Sequence, residues 1–144
     1  MQLRSVEELM DLLYACRGTV AVPDGGGAPV DLHDHALRTA ALLRRGRPAD
    51  KELQVAGLVR PVGRLLWPGD PADRAERAGE AVRGLLGERV AALLRGHPAD
   101  DDLLTLRQAD EEARTAAFEA GVLEDWRTVL VLLAARAARL GAMD

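Results

Sequence analysis

Three histidines and the acids beside them are the first candidates for chemistry in this sequence. His33, Asp34 and His35 stand together in a segment of helical periodicity, and His97 lies far from them along the chain. Imidazole changes its charge near neutral pH and also binds metal ions, so these residues could act as acid and base or as metal ligands. Because His33 and His35 are two positions apart, they point to different sides of a regular helix and form a poor chelate.

The elements that must position these residues are predicted to be helices. Apolar residues recur at three- and four-residue steps, and we find no convincing alternating strand. The predicted helices cover residues 6–16, 31–46, 51–59, 72–86, 88–96, 108–120 and 123–140, with a short apolar continuation at 62–67. Ser5, Asp31 and Asp50 are predicted N-caps, and Pro61 should end or kink the third helix. The last helix is apolar nearly all round, which predicts a central, buried helix.

Other acidic residues have simpler interpretations as helix starts. Asp31 is a predicted cap and Asp34 a first-turn acid that suits the helix dipole, although both could assist the histidines. Asp100, Asp101 and Asp102 could form a cation site, but consecutive acids are typical of a solvated helix start. We favour the helix-start interpretation for all of them.

Composition limits the partners that the protein can have. The 144 residues, of which 48% are apolar, predict one domain over residues 1–144. A net charge of -4 and only 3% aromatic residues argue against nucleic acid as a partner. The longest apolar run, residues 129–135, is too short to span a membrane, and the single Cys16 fits a reducing cytoplasm. Heavy arginine, alanine and glycine usage suggests a bacterial source.

Two segments of the chain resemble the HD phosphohydrolase/oxygenase superfamily. Residues 28–40 are most similar to the branch of iron-dependent oxygenases that cleave organophosphonates, and His35 matches a metal-binding histidine there. Residues 55–66 look like the signature segment of the superfamily. Arg60 and Pro61 stand in place of its His-Asp pair, and Arg64 replaces the histidine that follows.

Later segments extend the resemblance over about residues 20–140. Ala75 occupies a position where the family has a histidine, whereas His97 matches one that is retained. In the closing segment residues 133–135 replace a stretch that contains the last aspartate ligand of the oxygenase branch. The resemblance implies an all-α, HD-like helical domain of six to seven helices, and a homodimer as one expected state, since superfamily members are often dimers.

The replaced residues imply that the protein needs neither metal nor any other cofactor. His35 and His97 alone survive, and two neutral imidazoles cannot enclose two metal cations. Pro61 cannot ligate, and the permanent positive charges of Arg60 and Arg64 would repel a metal ion. A lone zinc ion bound by His35, His97 and an acid is the remaining metal alternative.

Two functions are open for the pocket that these replaced positions would surround. The guanidinium groups of Arg60 and Arg64 could replace the charge of the missing metals and, with the histidines His33, His35 and His97, bind a carboxylate or phosphate group. Alternatively, both arginines simply point to solvent. His35 and His97 could also act as a tentative acid/base pair without metal, or be two inherited core histidines.

We therefore predict a metal-free HD-like domain that acts as a non-catalytic binding or regulatory protein. Its partner would be a small anionic molecule or another protein. The alternative is a cofactor-independent enzyme or an anion-binding protein of specialised metabolism that uses the former metal pocket, and the sequence leaves open whether the protein is an enzyme. A closed apolar pocket around His35, Arg60 and His97 would favour the alternative, and a filled pocket with a large exposed apolar patch would favour a protein-binding module.

Overall fold

The computed structural model describes residues 1–23 and 26–142. Asp24 and Gly25 lie outside the described residues. Seven α-helices of eight residues or more are found in the described ranges, together with one five-residue helix, which confirms the predicted all-α class. In chain order the helices are α1 (Val6–Ala15), α2 (Leu32–Gly46), α3 (Lys51–Val59), α4 (Val62–Leu66), α5 (Pro71–Leu86), α6 (Glu88–Arg95), α7 (Asp101–Ala113) and α8 (Arg127–Ala142).

Side-chain caps account for where most of these helices begin. The predicted caps are confirmed: Ser5, Asp31 and Asp50 each accept a hydrogen bond from the backbone N–H three residues further on. Asp70 caps α5 in the same way. Asp100 accepts from the backbone N–H of Leu103 and caps α7, which confirms the interpretation of the three successive acids as a helix start. The bounds predicted for this helix, 108–120, were wrong, because α7 covers Asp101–Ala113.

A small antiparallel pair of strands closes the loop between α1 and α2. Strand β1 (Val20–Ala21) pairs with strand β2 (Val30–Asp31), with Val20 opposite Asp31. The sequence analysis missed both strands because two residues cannot display an alternating pattern. The pairing holds the two ends of the loop together beside the start of α2.

The centre of the molecule is α3, and the prediction that the last helix occupies the centre was wrong. Every residue of α3 from Leu53 to Val59 is buried. In α8, Leu130 and Leu133 are buried, but Val131 and Leu132 are 49% and 62% exposed. One face of α8 therefore packs against the core, and the opposite face of the helix is in contact with solvent although it is also apolar.

Two residues that replace the His-Asp pair implied by the resemblance lie at the junction between α3 and α4. Helix α3 ends at Val59 and α4 begins at Val62, so that Arg60 and Pro61 stand between them. This confirms the predicted break at Pro61, whose ring removes one helical hydrogen bond.

None of the helices in the described part of the chain combines the length and the apolar character needed to cross a bilayer.

Candidate functional site

A cavity of about 510 Å³ lies where the α3–α4 junction meets α5, α6 and α7. The strand pair and the start of α2 complete its wall through Ala21, Val30 and Leu32. The cavity has the size of ordinary ligand sites, which range over about 300–1,000 Å³. It is neither closed nor purely apolar, because charged side chains line it beside the aliphatic ones.

Four of the five predicted site residues line this cavity, namely His35, Arg60, Arg64 and His97. Pro61 and Ala75, two further positions where the resemblance implies a lost metal ligand, line it as well. Residues 133–135, to which the resemblance assigns the last ligand position, are not among its lining residues.

His33 is the predicted site residue that the structure places elsewhere. It is buried, its Nδ1 lies 3.2 Å from the backbone oxygen of Leu13, and its ring stacks on Tyr14. These contacts hold α2 against α1, on a different side of the helix from His35. We therefore leave His33 out of the candidate site.

The deepest polar contact at the cavity joins His35 to Asp110. The Nε2 atom of buried His35 lies 3.0 Å from Oδ1 of Asp110, whose side chain is 18% exposed. Burial raises the pKa of Asp110, but the hydrogen bond from His35 and the charge of Arg60 outweigh burial, and the pKa lies below its usual value. An ionised carboxylate only accepts hydrogen bonds, so Nε2 of His35 carries the donated hydrogen.

The opposite nitrogen of His35 lies in the protein interior. Nδ1 is buried and has no hydrogen-bond partner among the described residues. Neither ring nitrogen of His35 is therefore available to a ligand in the cavity, since one is bonded to Asp110 and the other is covered by protein.

Sequence reasoning missed Asp110, although a signal for it existed. Leu103, Leu106 and Ala113 are buried residues of α7, and Asp110 lies on the same face at helical spacing from them. A charged residue on a buried face requires a partner, which the structure supplies in His35. The error in the bounds of this helix concealed the pattern. Asp31 and Asp34, which were considered as helpers of the histidines, form the cap contact instead.

Arg60 is the most unusual cation of the cavity. Its Nη1 atom is buried, and Arg60 forms no hydrogen bond with any residue that the structure describes. Arg60 interacts electrostatically with the carboxylate of Asp110, which is already bonded to His35. A buried guanidinium hydrogen without an acceptor is costly, because it has lost water and gained nothing in return.

Arg107 is the second cation available to a ligand. It is exposed, and within residues 1–23 and 26–142 it has neither a hydrogen bond nor an ion pair. One of its Nη atoms lies close to Gly96, at the end of α6. Arg107 and Asp110 of α7 and Arg114, the residue that follows this helix, are spaced at three- and four-residue steps, so they form one charged stripe along the cavity.

The other cavity arginines already have partners. Arg64 donates to the backbone oxygen of Val22 at 2.7 Å, and Arg74 donates to two backbone oxygens, one of them that of Gly69 at 2.8 Å. Arg95 forms an ion pair with Glu88 at 2.8 Å. Arg114 forms one with Glu111 at 2.9 Å and another with Asp110 at 3.7 Å. Arg64 thus lines the cavity, and part of its guanidinium is bonded to the backbone of the loop that contains Val22.

His97 lies at the exposed edge of the cavity. Its side chain is 71% exposed, and its Nε2 is 3.3 Å from a carboxylate oxygen of Glu76. His35 and His97 therefore have separate acidic partners and do not hydrogen-bond to each other in the described structure. They line one cavity without forming a pair.

Arginines outnumber carboxylates among the described residues of the lining. Six arginines and two carboxylates, Asp110 and Glu76, line the cavity in this part of the chain. Low-dielectric walls strengthen the field of such a cluster. No group of three or more histidine, cysteine or acidic side chains in the described ranges is arranged to hold a metal ion. That the protein works without metal stays a prediction.

The free thiol lies away from this site. Cys16 is buried in the core, and burial together with the nearby carboxylate of Asp31 raises its pKa to about 11. It is thus a small apolar core residue and a poor nucleophile at neutral pH.

A comparison with protein-family models finds no family that matches the chain, and a comparison with curated proteins finds no relative. The resemblance to the HD superfamily therefore stays a prediction.

Proposed function

We propose that the protein binds a small anionic molecule in the cavity between the α3–α4 junction, α5, α6 and α7, and that it does so without a metal ion. The observation that carries this proposal is the half-buried Arg60 side chain, which lines the cavity and forms no hydrogen bond with any residue that the structure describes. Protein covers Nη1, so an oxyanion in the cavity would supply an acceptor to the remainder of the guanidinium. Charge-assisted hydrogen bonds of this kind are about twice as strong as neutral ones.

The fixed ion pairs around Arg60 support the same conclusion. Asp110 is bonded to His35 and cannot fully neutralise Arg60 as well. Arg107 contributes a second unpaired guanidinium from α7 in the described structure. A ligand with an anionic group would meet two cations that the protein leaves available.

The family resemblance adds support to this assignment. The positions that it relates to metal ligands, apart from the last, surround one cavity. We propose that guanidinium charge has replaced metal charge there, so that an HD-like pocket keeps its attraction for anions.

Acid–base catalysis by His35 and His97 is supported less well than binding. The hydrogen bond to Asp110 fixes the ring of His35, as a general base requires. However, neither nitrogen of His35 is free towards the cavity, and His97 lies apart beside Glu76.

Non-catalytic binding of a protein partner is the second candidate. Val131, Leu132 and Leu140 of α8 are about half exposed or more, which favours it. Single exposed apolar residues are common on monomeric proteins, so the cavity is the stronger observation.

Calorimetric titration with inorganic phosphate tests the proposal. Arg60→Gln/Arg107→Gln should weaken phosphate binding by about tenfold or more, which corresponds to about 1.4 kcal/mol per factor of ten. Arg4→Gln/Arg83→Gln is the matched control, since it removes the same charge from exposed positions outside the cavity. Equal phosphate affinity in the wild type and both double variants, with circular dichroism showing intact helices, would refute the proposal. The single variant Arg107→Gln changes only an exposed side chain. A loss of phosphate affinity in this variant therefore cannot be attributed to a folding defect.

A further inference from the structure

We infer that the ligand of this cavity is amphiphilic, with an oxyanion head and an apolar body, rather than a free inorganic ion. The inference rests on the proposed function and deepens it. It follows from the volume of the cavity and from the side chains that line it beside the arginines.

The cavity is much larger than an inorganic oxyanion. One water molecule occupies about 30 Å³ of liquid, so a cavity of about 510 Å³ corresponds to roughly 17 water volumes. A tetrahedral oxyanion of five heavy atoms that bonded to Arg60 would leave most of this space filled with water.

The remaining surface of the cavity is largely aliphatic. Helix α5 contributes Ala72, Ala75 and Ala78, and α6 contributes Leu93 and Leu94. The short side chains of α5 leave the space open, and the leucines provide apolar surface from which a ligand would displace water. No aromatic side chain is among the lining residues in the described ranges, so the apolar body is held by aliphatic contacts.

Both parts of the ligand are needed to match the site. A neutral apolar molecule would leave Arg60 and Arg107 without an acceptor and would cut them off from water. A small inorganic ion would leave the aliphatic wall of the cavity in contact with water. A head with two negative charges, such as a phosphate monoester, corresponds to the two available guanidinium groups.

Titration of the wild-type protein with three probes tests the inference. Phenyl phosphate should bind about tenfold or more tightly than inorganic phosphate, and phenol should not bind over the same concentration range. If phosphate and phenyl phosphate both fail to bind, the proposed function fails and this inference fails with it. If inorganic phosphate binds and phenyl phosphate binds no better, the inference alone is wrong. Phenol binding as tightly as phenyl phosphate would also overturn it, since the head would then contribute nothing.

A variant that fills the aliphatic part gives an independent measurement. Ala75→Phe should reduce the affinity for phenyl phosphate to that for inorganic phosphate, while the phosphate affinity stays within about threefold of wild type. Ala135→Phe, at an exposed position of α8 outside the cavity, is the matched control and should leave both affinities unchanged. An Ala75→Phe protein that keeps its full preference for phenyl phosphate would contradict the inference.

Discussion

Asp110 determines how much positive charge the cavity presents to a ligand. Its carboxylate lies 3.0 Å from Nε2 of His35 and interacts with the charge of Arg60. Because these contacts outweigh the effect of burial, the pKa of Asp110 lies below its usual value and the group is ionised at neutral pH. Asp110 therefore offsets part of the charge of Arg60 and leaves the remainder for an anion.

Asp110→Asn should lower the free energy of unfolding at pH 7 by about 1–2 kcal/mol, since a hydrogen bond to a charged group is replaced by one to a neutral amide. Because the folded state depresses the pKa of Asp110, its ionised form stabilises the protein above the unfolded pKa of about 3.9, and this contribution is lost as the pH falls through the folded value. The difference between wild type and variant should therefore shrink between pH 5 and pH 3 in urea denaturation.

Asp73→Asn provides the control for this titration. Its carboxylate is 58% exposed in an ion pair with Arg77, so the stability should change by less than about 0.5 kcal/mol. A stability difference for Asp110→Asn that stayed constant from pH 7 to pH 3 would show that the carboxylate charge does not stabilise the fold.

At the scale of the helices, the close approach of α5 and α6 shapes one side of the cavity. A Cβ atom on Gly79 would lie 2.8 Å from the backbone oxygen of Ala91 and 2.5 Å from Cγ of Arg95. The side chain of Arg95 could move, but the backbone of α6 could not move without a shift of the helix. Gly79 therefore allows the two helices to pack at their observed separation.

Gly79→Ala should reduce the free energy of unfolding by about 1–3 kcal/mol, as overpacking of a close contact does. Gly84→Ala on the same helix is the matched control. A Cβ there meets only the end of the Gln2 side chain at 3.7 Å, so the better helix former should stabilise by about 0.5–1 kcal/mol. Urea denaturation of both variants measures the two effects. A Gly79→Ala protein more stable than wild type would contradict the close approach of α5 and α6.

The helices show which structural features could be predicted from the sequence and which could not. Caps and breaks are local signals, which is why Ser5, Asp31, Asp50 and Pro61 were interpreted correctly. Asp100, Asp101 and Asp102 were likewise interpreted as a helix start, although the bounds predicted for that helix, 108–120, did not include them. The position of α8 could not be derived from its composition, since burial depends on what packs against each face of a helix.

At the scale of the whole molecule, the overall charge is negative while arginines collect at one cavity. The chain carries a net charge of -4, yet six arginines of the described residues, on or next to α4, α5, α6 and α7, line the cavity. His35, Arg60, Arg64 and His97 could be predicted as cavity residues because the resemblance placed them at one site. Arg107 could not, because the resemblance assigns it no role and it meets the others only through the fold. Asp110 was missed although its place on a buried face of α7 offered a signal.

The most direct test of the account is a crystal structure of the protein grown with inorganic phosphate. We expect phosphate in the cavity, with an oxygen about 2.7–2.9 Å from a nitrogen of Arg60, and His35 still bonded to Asp110. Phosphate bound only on the outer surface would contradict the account. So would a metal ion in the cavity held by His35 and Asp110, since metal rather than guanidinium charge would then attract the anion.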